Sequence, residues 1–116
     1  MLPDKDRDRY FMKKALEQAQ KAGTKGEVPV GAVLVKDGKI MTRAYNQSIS
    51  RCDPSGHAEI VALRKAGRKF KNYRLTGLIL YVTVEPCPMC LGAILQARIK
   101  RLVYGATDKK QGAIVS

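Results

Sequence analysis

His57, the only histidine in the chain, stands two residues before Glu59. About thirty residues later, Cys87 and Cys90 form a Cys-x-x-Cys pair inside Pro86-Cys87-Pro88-Met89-Cys90. Each piece lies where an apolar helical pattern begins. Residues three apart share one helical face, so the two sulfurs reach one ion. With His57 as a third ligand, the two segments have to converge in the fold. Three protein ligands on Zn2+ leave the fourth coordination position to water, which is the arrangement of a catalytic zinc and not of a closed structural one. The positive end of each helix favours thiolate over thiol. A zinc-bound water ionises near pH 7, to order of magnitude. Glu59 shares the first turn with His57 and reaches that water without ligating. A carboxylate so placed takes the water's proton and returns it to a leaving amine.

Other readings of the same residues stand beside this one. A lone Cys-x-x-Cys is shared by metal sites and redox pairs, but a redox pair needs neither His57 nor Glu59. A closed structural zinc needs a fourth ligand, and Cys52 is the one spare thiol. A zinc-stapled nucleic-acid-binding module has no use for Glu59. His57 also reads as a core histidine, Cys52 as an incidental loop thiol, and Met89 and Leu91 as packing residues.

The rest of the chain supplies the scaffold. Phe11, Ala15, Ala19 and Ala22 recur at helical spacing behind Asp4, Asp6 and Asp8, and predict a helix that stops near Gly23. Val28 to Val35 is almost wholly apolar and reads as a buried strand. Asp37-Gly38 then signals a hairpin into Lys39 to Asn46. Gln47 to Gly56 is a polar loop. A helix starts at His57, with Ile60, Leu63 and Phe70 on one side and a basic opposite side. Leu78 to Val84 is a third strand. Cys87 to Ala97 reads as a helix with Pro86 in its first turn, and Arg101 to Ala106 as a fourth strand. Strands separated by helices imply parallel pairing through right-handed crossovers, hence one α/β layered domain over residues 1–116.

Lys and Arg number 22 against 10 acids, a formal charge of +12. A small domain this basic points to a polyanionic partner, nucleic acid first, against the bland reading of a solvated surface. An anionic membrane surface fits less well, since no basic amphipathic helix stands out. No apolar run is long enough to span a membrane, and Met1 to Arg9 has no secretory h-region. The expected location is the cytoplasm. Three cysteines, an odd count without an export signal, argue against a disulfide framework.

His-x-Glu with Pro-Cys-x-x-Cys matches the signature of zinc-dependent nucleobase deaminases, a likeness of motif that spacing alone does not establish. From about Tyr10 onward the sequence resembles the tRNA adenosine deaminases of the cytidine deaminase-like superfamily. The resemblance also rests on Glu27-Val28-Pro29-Val30-Gly31-Ala32-Val33, Asn46, Asp53-Pro54, Asn72-Tyr73-Arg74-Leu75, Leu80 to Cys87, and Tyr104-Gly105-Ala106 with Asp108, Lys110 and Gly112. It implies a three-layer α/β/α fold around a central mixed sheet, made of an N-terminal hairpin plus parallel strands. It implies one Zn2+ per chain and conversion of adenosine to inosine at the wobble position of a tRNA anticodon loop. It implies that Asn46 bonds the base or its ribose, that Val28 and Pro29 wall the ring, and that the Ala58 backbone meets the base edge. Asp108 and Lys110 would lie by neighbouring nucleotides, with Lys109 and Lys110 near the phosphates. A homodimer is the usual assembly. The family continues past the Gly-x-x-x-Ser stretch with a further strand and helix, whereas this sequence ends at Ser116. It also has Gly56 where a side chain is common, which is expected to loosen the loop before His57. Rival substrates are a free base such as guanine or cytosine, or single-stranded DNA, including as an engineered editor.

Overall fold

The computed structural model describes residues 4–108 and 110–114. Its elements are α1 (Asp4–Thr24), β1 (Gly31–Lys36), β2 (Lys39–Tyr45), α2 (Ala58–Phe70), β3 (Ile79–Val84), α3 (Pro88–Gln96) and β4 (Arg101–Ala106). The sheet order is β2-β1-β3-β4. β1 runs antiparallel to both β2 and β3, and β3 pairs in parallel with β4. The expected mixed sheet is present, with one refinement. β2 and β3, joined through α2, do point the same way, but the first hairpin strand lies between them. Only β3 and β4 meet as a parallel ladder.

Both sheet faces are covered, which is why β1 and β3 are apolar at nearly every position. On one face Phe11 and Ala15 of α1 pack with Val33, Val35 and Tyr81. On the other, Ala32, Leu34, Leu80 and Val82 meet Ala58, Val61 and Ala62 of α2 and Ile94 of α3. This is the α/β/α layering. The four α1 positions read from the sequence, Phe11, Ala15, Ala19 and Ala22, are all buried. Gly31 lets α1 lie directly on the start of β1, since a Cβ there would sit 2.1 Å from the Ala15 carbonyl oxygen. The Asp37-Gly38 turn has positive φ at both residues, 51° and 75°, as a type I′ hairpin requires.

Several element boundaries differ from expectation, and proline explains two of them. Val28 to Val30 precede β1 instead of opening it. Pro29 has no N–H for a ladder, the Val30 N–H turns back to the Val28 carbonyl at 2.8 Å, and Val28 is 58% exposed. α3 starts at Pro88, with Cys87 as an extended N-cap (φ −74°, ψ 170°). A residue before proline avoids the helical region, so Cys87 cannot be helical, and Pro88 instead of Pro86 takes the first-turn position.

Asp8 does more than favour the positive end of α1. Its carboxylate accepts the Tyr81 hydroxyl at 2.6 Å and both Arg101 guanidinium nitrogens at 2.8 and 2.6 Å. Burial, with Asp8 adding to it, pushes the Tyr81 hydroxyl up to about 12. Arg101 holds the Asp8 carboxyl below its ordinary value of 3.8, against a smaller opposing effect of burial. A depressed carboxyl contributes stability that is complete above the unfolded value and lost as pH falls through the folded one. Wild type is therefore expected to lose more of its urea midpoint between about pH 6 and about pH 3 than Asp8→Asn does. Equal losses in the two proteins would refute the contribution.

Candidate active site

The loop before α2 and the turn before α3 lie on the same side of the sheet, at the carboxyl end of β3. Hydrogen bonds shape the first. The Gln47 N–H donates to the Gly56 carbonyl at 2.8 Å, and the Asp53 N–H to the Ser48 carbonyl at 3.0 Å. Gly56 does not loosen this loop. A Cβ there would lie 3.1 Å from the Asp53 oxygen and the Ser48 nitrogen, so the backbone packs closely around this glycine. Glu27, 6% exposed, fastens the loop from below by accepting the Ile49 and Ser50 N–H groups at 3.0 and 2.7 Å. Burial pushes the Glu27 carboxyl up, but those N–H groups and the Ser50 hydroxyl outweigh it and leave it low.

His57 emerges as the N-cap of α2, Cys87 as the N-cap of α3, and Cys90 within the first turn of α3. The His57 Nδ1 lies 3.4 Å from the Cys90 Sγ and 3.6 Å from the Cys87 Sγ. A tetrahedral zinc with Zn–S about 2.3 Å and Zn–N about 2.0–2.1 Å separates nitrogen from sulfur by about 3.6 Å. The three donors therefore fit one zinc ion. Among the described residues, they are the His, Cys, Asp or Glu groups that converge in this way. Cys52 is exposed and stands apart from them.

The electrostatics favour a cation at this point. Burial pushes the Cys90 thiol far up, and the neighbouring Glu59 and Cys87 add to the effect. Burial likewise raises the Glu59 carboxyl, which is 4% exposed in the first turn of α2. Three groups that repel one another as anions are reconciled by a divalent ion among them.

Above the donors opens a cavity of about 160 Å³. That is below the roughly 300–1,000 Å³ of pockets for drug-sized ligands, so it admits about one ring system. His57, Glu59 and Cys87 line it, together with Asn46, Val28 and Asp108. The Asn46 Oδ1 accepts the Ser48 N–H at 3.0 Å, which fixes the amide and leaves its NH2 end as donor. Of the expected contacts, Pro29 and Ala58 do not line the cavity. Pro29 is exposed, and Ala58 is buried in the core behind it. Lys110 is exposed and bonds by its N–H to Asp108 Oδ1, and Lys109 lies outside the described residues. Val30, Val84, Glu85 and Gln111 line the cavity without having been expected to.

Part of the basic face of α2 serves the fold. Lys65 and Lys69 donate to the Arg43 and Met41 carbonyls, and Arg64 pairs with Asp53.

Residues 5–106 match the cytidine and deoxycytidylate deaminase zinc-binding region. The tRNA-specific adenosine deaminase of Haemophilus influenzae is 56% identical over 94% of this chain, which spans 64% of that protein's length. The one from Buchnera aphidicola subsp. Schizaphis graminum is 56% identical over 90% of this chain and 69% of its own length. A structure from a study of A-to-I editing by tRNA:A34 deaminases superposes with a TM-score of 0.91 at 49% identity, over 93% of this chain and 78% of that one. Layering, site and family match together place the chain in the cytidine and deoxycytidylate deaminase class. Within that class, the chain belongs to the tRNA-specific adenosine deaminase family.

Proposed function

We propose that this chain, as one deaminase domain with one zinc ion, hydrolyses adenosine to inosine at the wobble position of a tRNA anticodon loop. The observation that carries the reading is the meeting of His57, Cys87 and Cys90 beside the buried Glu59, at a cavity sized for one base. His57 Nδ1 and the two thiolates hold the metal. Zinc so held supplies a Lewis acid that makes water a competent nucleophile near neutral pH. Glu59 accepts the proton of the attacking water at its carboxylate and delivers it to the departing 6-amino group. Water adds across the N1=C6 bond, N1 taking a proton as the C6–O bond forms; the C6–N bond then breaks as the added hydroxyl gives up its proton, so that ammonia leaves a C6 carbonyl. A carboxyl raised by burial is suited to both halves of that transfer.

Asn46 offers its amide donor to the base or ribose, and Val28 and Val30 pack against the ring. Asp108, with Lys110 beside it, faces the adjoining nucleotides. A cavity that admits one ring suits a base turned out of a single-stranded loop, and the +12 charge suits a phosphate backbone. Exposed Met89 and Leu95 on α3 supply apolar surface for a homodimer. The site of action is the cytoplasm. Among the described residues, no helix is long and apolar enough to cross a membrane.

The test is inosine formation on an anticodon stem-loop, run beside single-stranded DNA, free guanine, free cytosine and free adenosine over a salt series. The stem-loop is expected to react, and log K to fall with log salt by about 0.7 per neutralised phosphate. Fast turnover of a free base with salt-independent binding would replace this reading with a small-molecule deaminase. Preference for the DNA strand would move the substrate to DNA.

A further inference from the structure

Glu85 is buried, 3% exposed, and has no part in the chemistry above. It follows β3 directly and precedes Pro86. Its Oε1 accepts the Asp108 N–H at 3.1 Å, and its Oε2 accepts the Ile114 N–H at 2.7 Å. Around this anchor the segment folds tightly. The Gly112 N–H donates to the Asp108 carbonyl at 2.8 Å, and the Ala113 N–H to the Pro86 carbonyl at 3.0 Å. Gly112 itself lies against the carboxylate, where a Cβ would come within 2.4 Å of the Glu85 Cδ and Oε1. The Asp108 Oδ1 accepts the Lys110 and Gln111 N–H groups at 3.0 and 3.2 Å. Asp108 and Gln111 both line the cavity.

We propose that Glu85 is a positioning residue, whose two carboxylate oxygens fasten the segment after β4 against the cavity and so set the wall on which the substrate rests. This deepens the deaminase reading above and rests on it. The group has to be a carboxylate. Oε1 takes the Asp108 N–H and Oε2 the Ile114 N–H, and these two groups come from opposite ends of the segment. Glutamine keeps the size but turns an NH2 toward one of those N–H groups, donor against donor. Bonds to an ionised acceptor are about twice as strong as neutral ones. The wall is also built on a residue two positions before a metal donor, so the segment's place is tied to that of Cys87.

The experiment compares Glu85→Gln and Gly112→Ala with wild type, all zinc-loaded. It reads KM and kcat on the anticodon stem-loop, zinc content, and amide hydrogen exchange at Asp108 and Ile114, with Leu80 and Val82 as internal references. Both variants are expected to speed exchange at the two anchored amides and to raise KM about tenfold. The expected fall in kcat is no more than about threefold, with zinc content and the reference amides unchanged. The double variant should be little worse than either single one, because both break the same contact. Unchanged exchange at Asp108 and Ile114 in Glu85→Gln overturns the proposal whatever the substrate. So does an unmoved KM, or a common loss of zinc, reference protection and kcat. If the stem-loop is inert and a free base reacts, the substrate reading fails, and the same KM comparison on that base decides the role of Glu85.

Discussion

Glu59→Ala is expected to lower turnover by about 10²–10⁴-fold, the usual contribution of a proton-transfer residue, while the protein keeps one zinc per chain. The separation of the two effects follows from where Glu59 sits. His57 precedes α2 as its N-cap and turns Nδ1 toward the two sulfurs, whereas Glu59 lies in the first turn and lines the cavity beside them. It is not among the converging donors. Removing its carboxylate takes away the group proposed to carry the proton and leaves the three converging donors in place. The loss should fall on kcat, since Glu59 acts on the water and the leaving amine more than on the bound base. Burial is also a cost for a charged Glu59, because desolvation is the largest influence on its carboxyl. Alanine removes that cost, so the variant is expected to unfold no earlier than wild type. Metal analysis, a denaturation curve and single-turnover deamination decide the matter. Zinc lost together with activity would make Glu59 part of the metal's support and void the division of roles.

The cluster of His57, Cys87 and Cys90 was legible because metal chemistry restricts residue types. Few pairings other than a metal put His-x-Glu and Cys-x-x-Cys at two helix starts. The α1 stripe and the apolar β1 and β3 were legible because burial on one helix face, or on both sheet faces, leaves a periodic trace. The start of α3 was misplaced for a local reason. Pro86 and Pro88 both suit a first turn, and only the rule that a pre-proline residue stays extended picks out Cys87 as the cap. Asp8, Glu27 and Glu85 escaped for a different reason. Their partners are Arg101, the Ile49 and Ser50 N–H groups, and the Asp108 and Ile114 N–H groups, all remote in sequence. Backbone donors carry no residue label, so a carboxylate that binds them looks in sequence like any surface acid. The walls of the cavity depend on two of these three anchors. Hence the three converging donors are readable from sequence, while the lining of the cavity, with Val30 and Gln111 in it and Pro29 and Ala58 outside it, is not.

Cys90→Ser is expected to remove zinc and lower thermal stability together, the opposite signature to Glu59→Ala. Cys90 is fully buried in the first turn of α3. Its sulfur approaches the His57 Nδ1 more closely than that of Cys87 does, at 3.4 against 3.6 Å. Burial and the neighbouring Glu59 and Cys87 hold its thiol in the neutral form. A metal ion reverses that preference by stabilising the thiolate, so zinc binding and packing at α3 are coupled. Serine offers oxygen in place of the soft sulfur donor, and its hydroxyl has to find a partner in the same buried place. Zinc that binds only the native state adds about 2.7 kcal/mol when present at a hundred times its dissociation constant. For a domain of this size that is a midpoint shift of about 10 °C. Two measurements give the comparison: zinc stoichiometry, and melting with and without a chelator. Wild type should lose its shift when chelated, whereas Cys90→Ser should melt at the same temperature either way, near chelated wild type. Cys87→Ser is expected to behave in the same direction with a smaller loss of stability, since its only partly buried position leaves the new hydroxyl access to water. A Cys90→Ser protein that binds one zinc per chain at wild-type strength would show that the ion is held elsewhere, and the converging donors would then need another explanation.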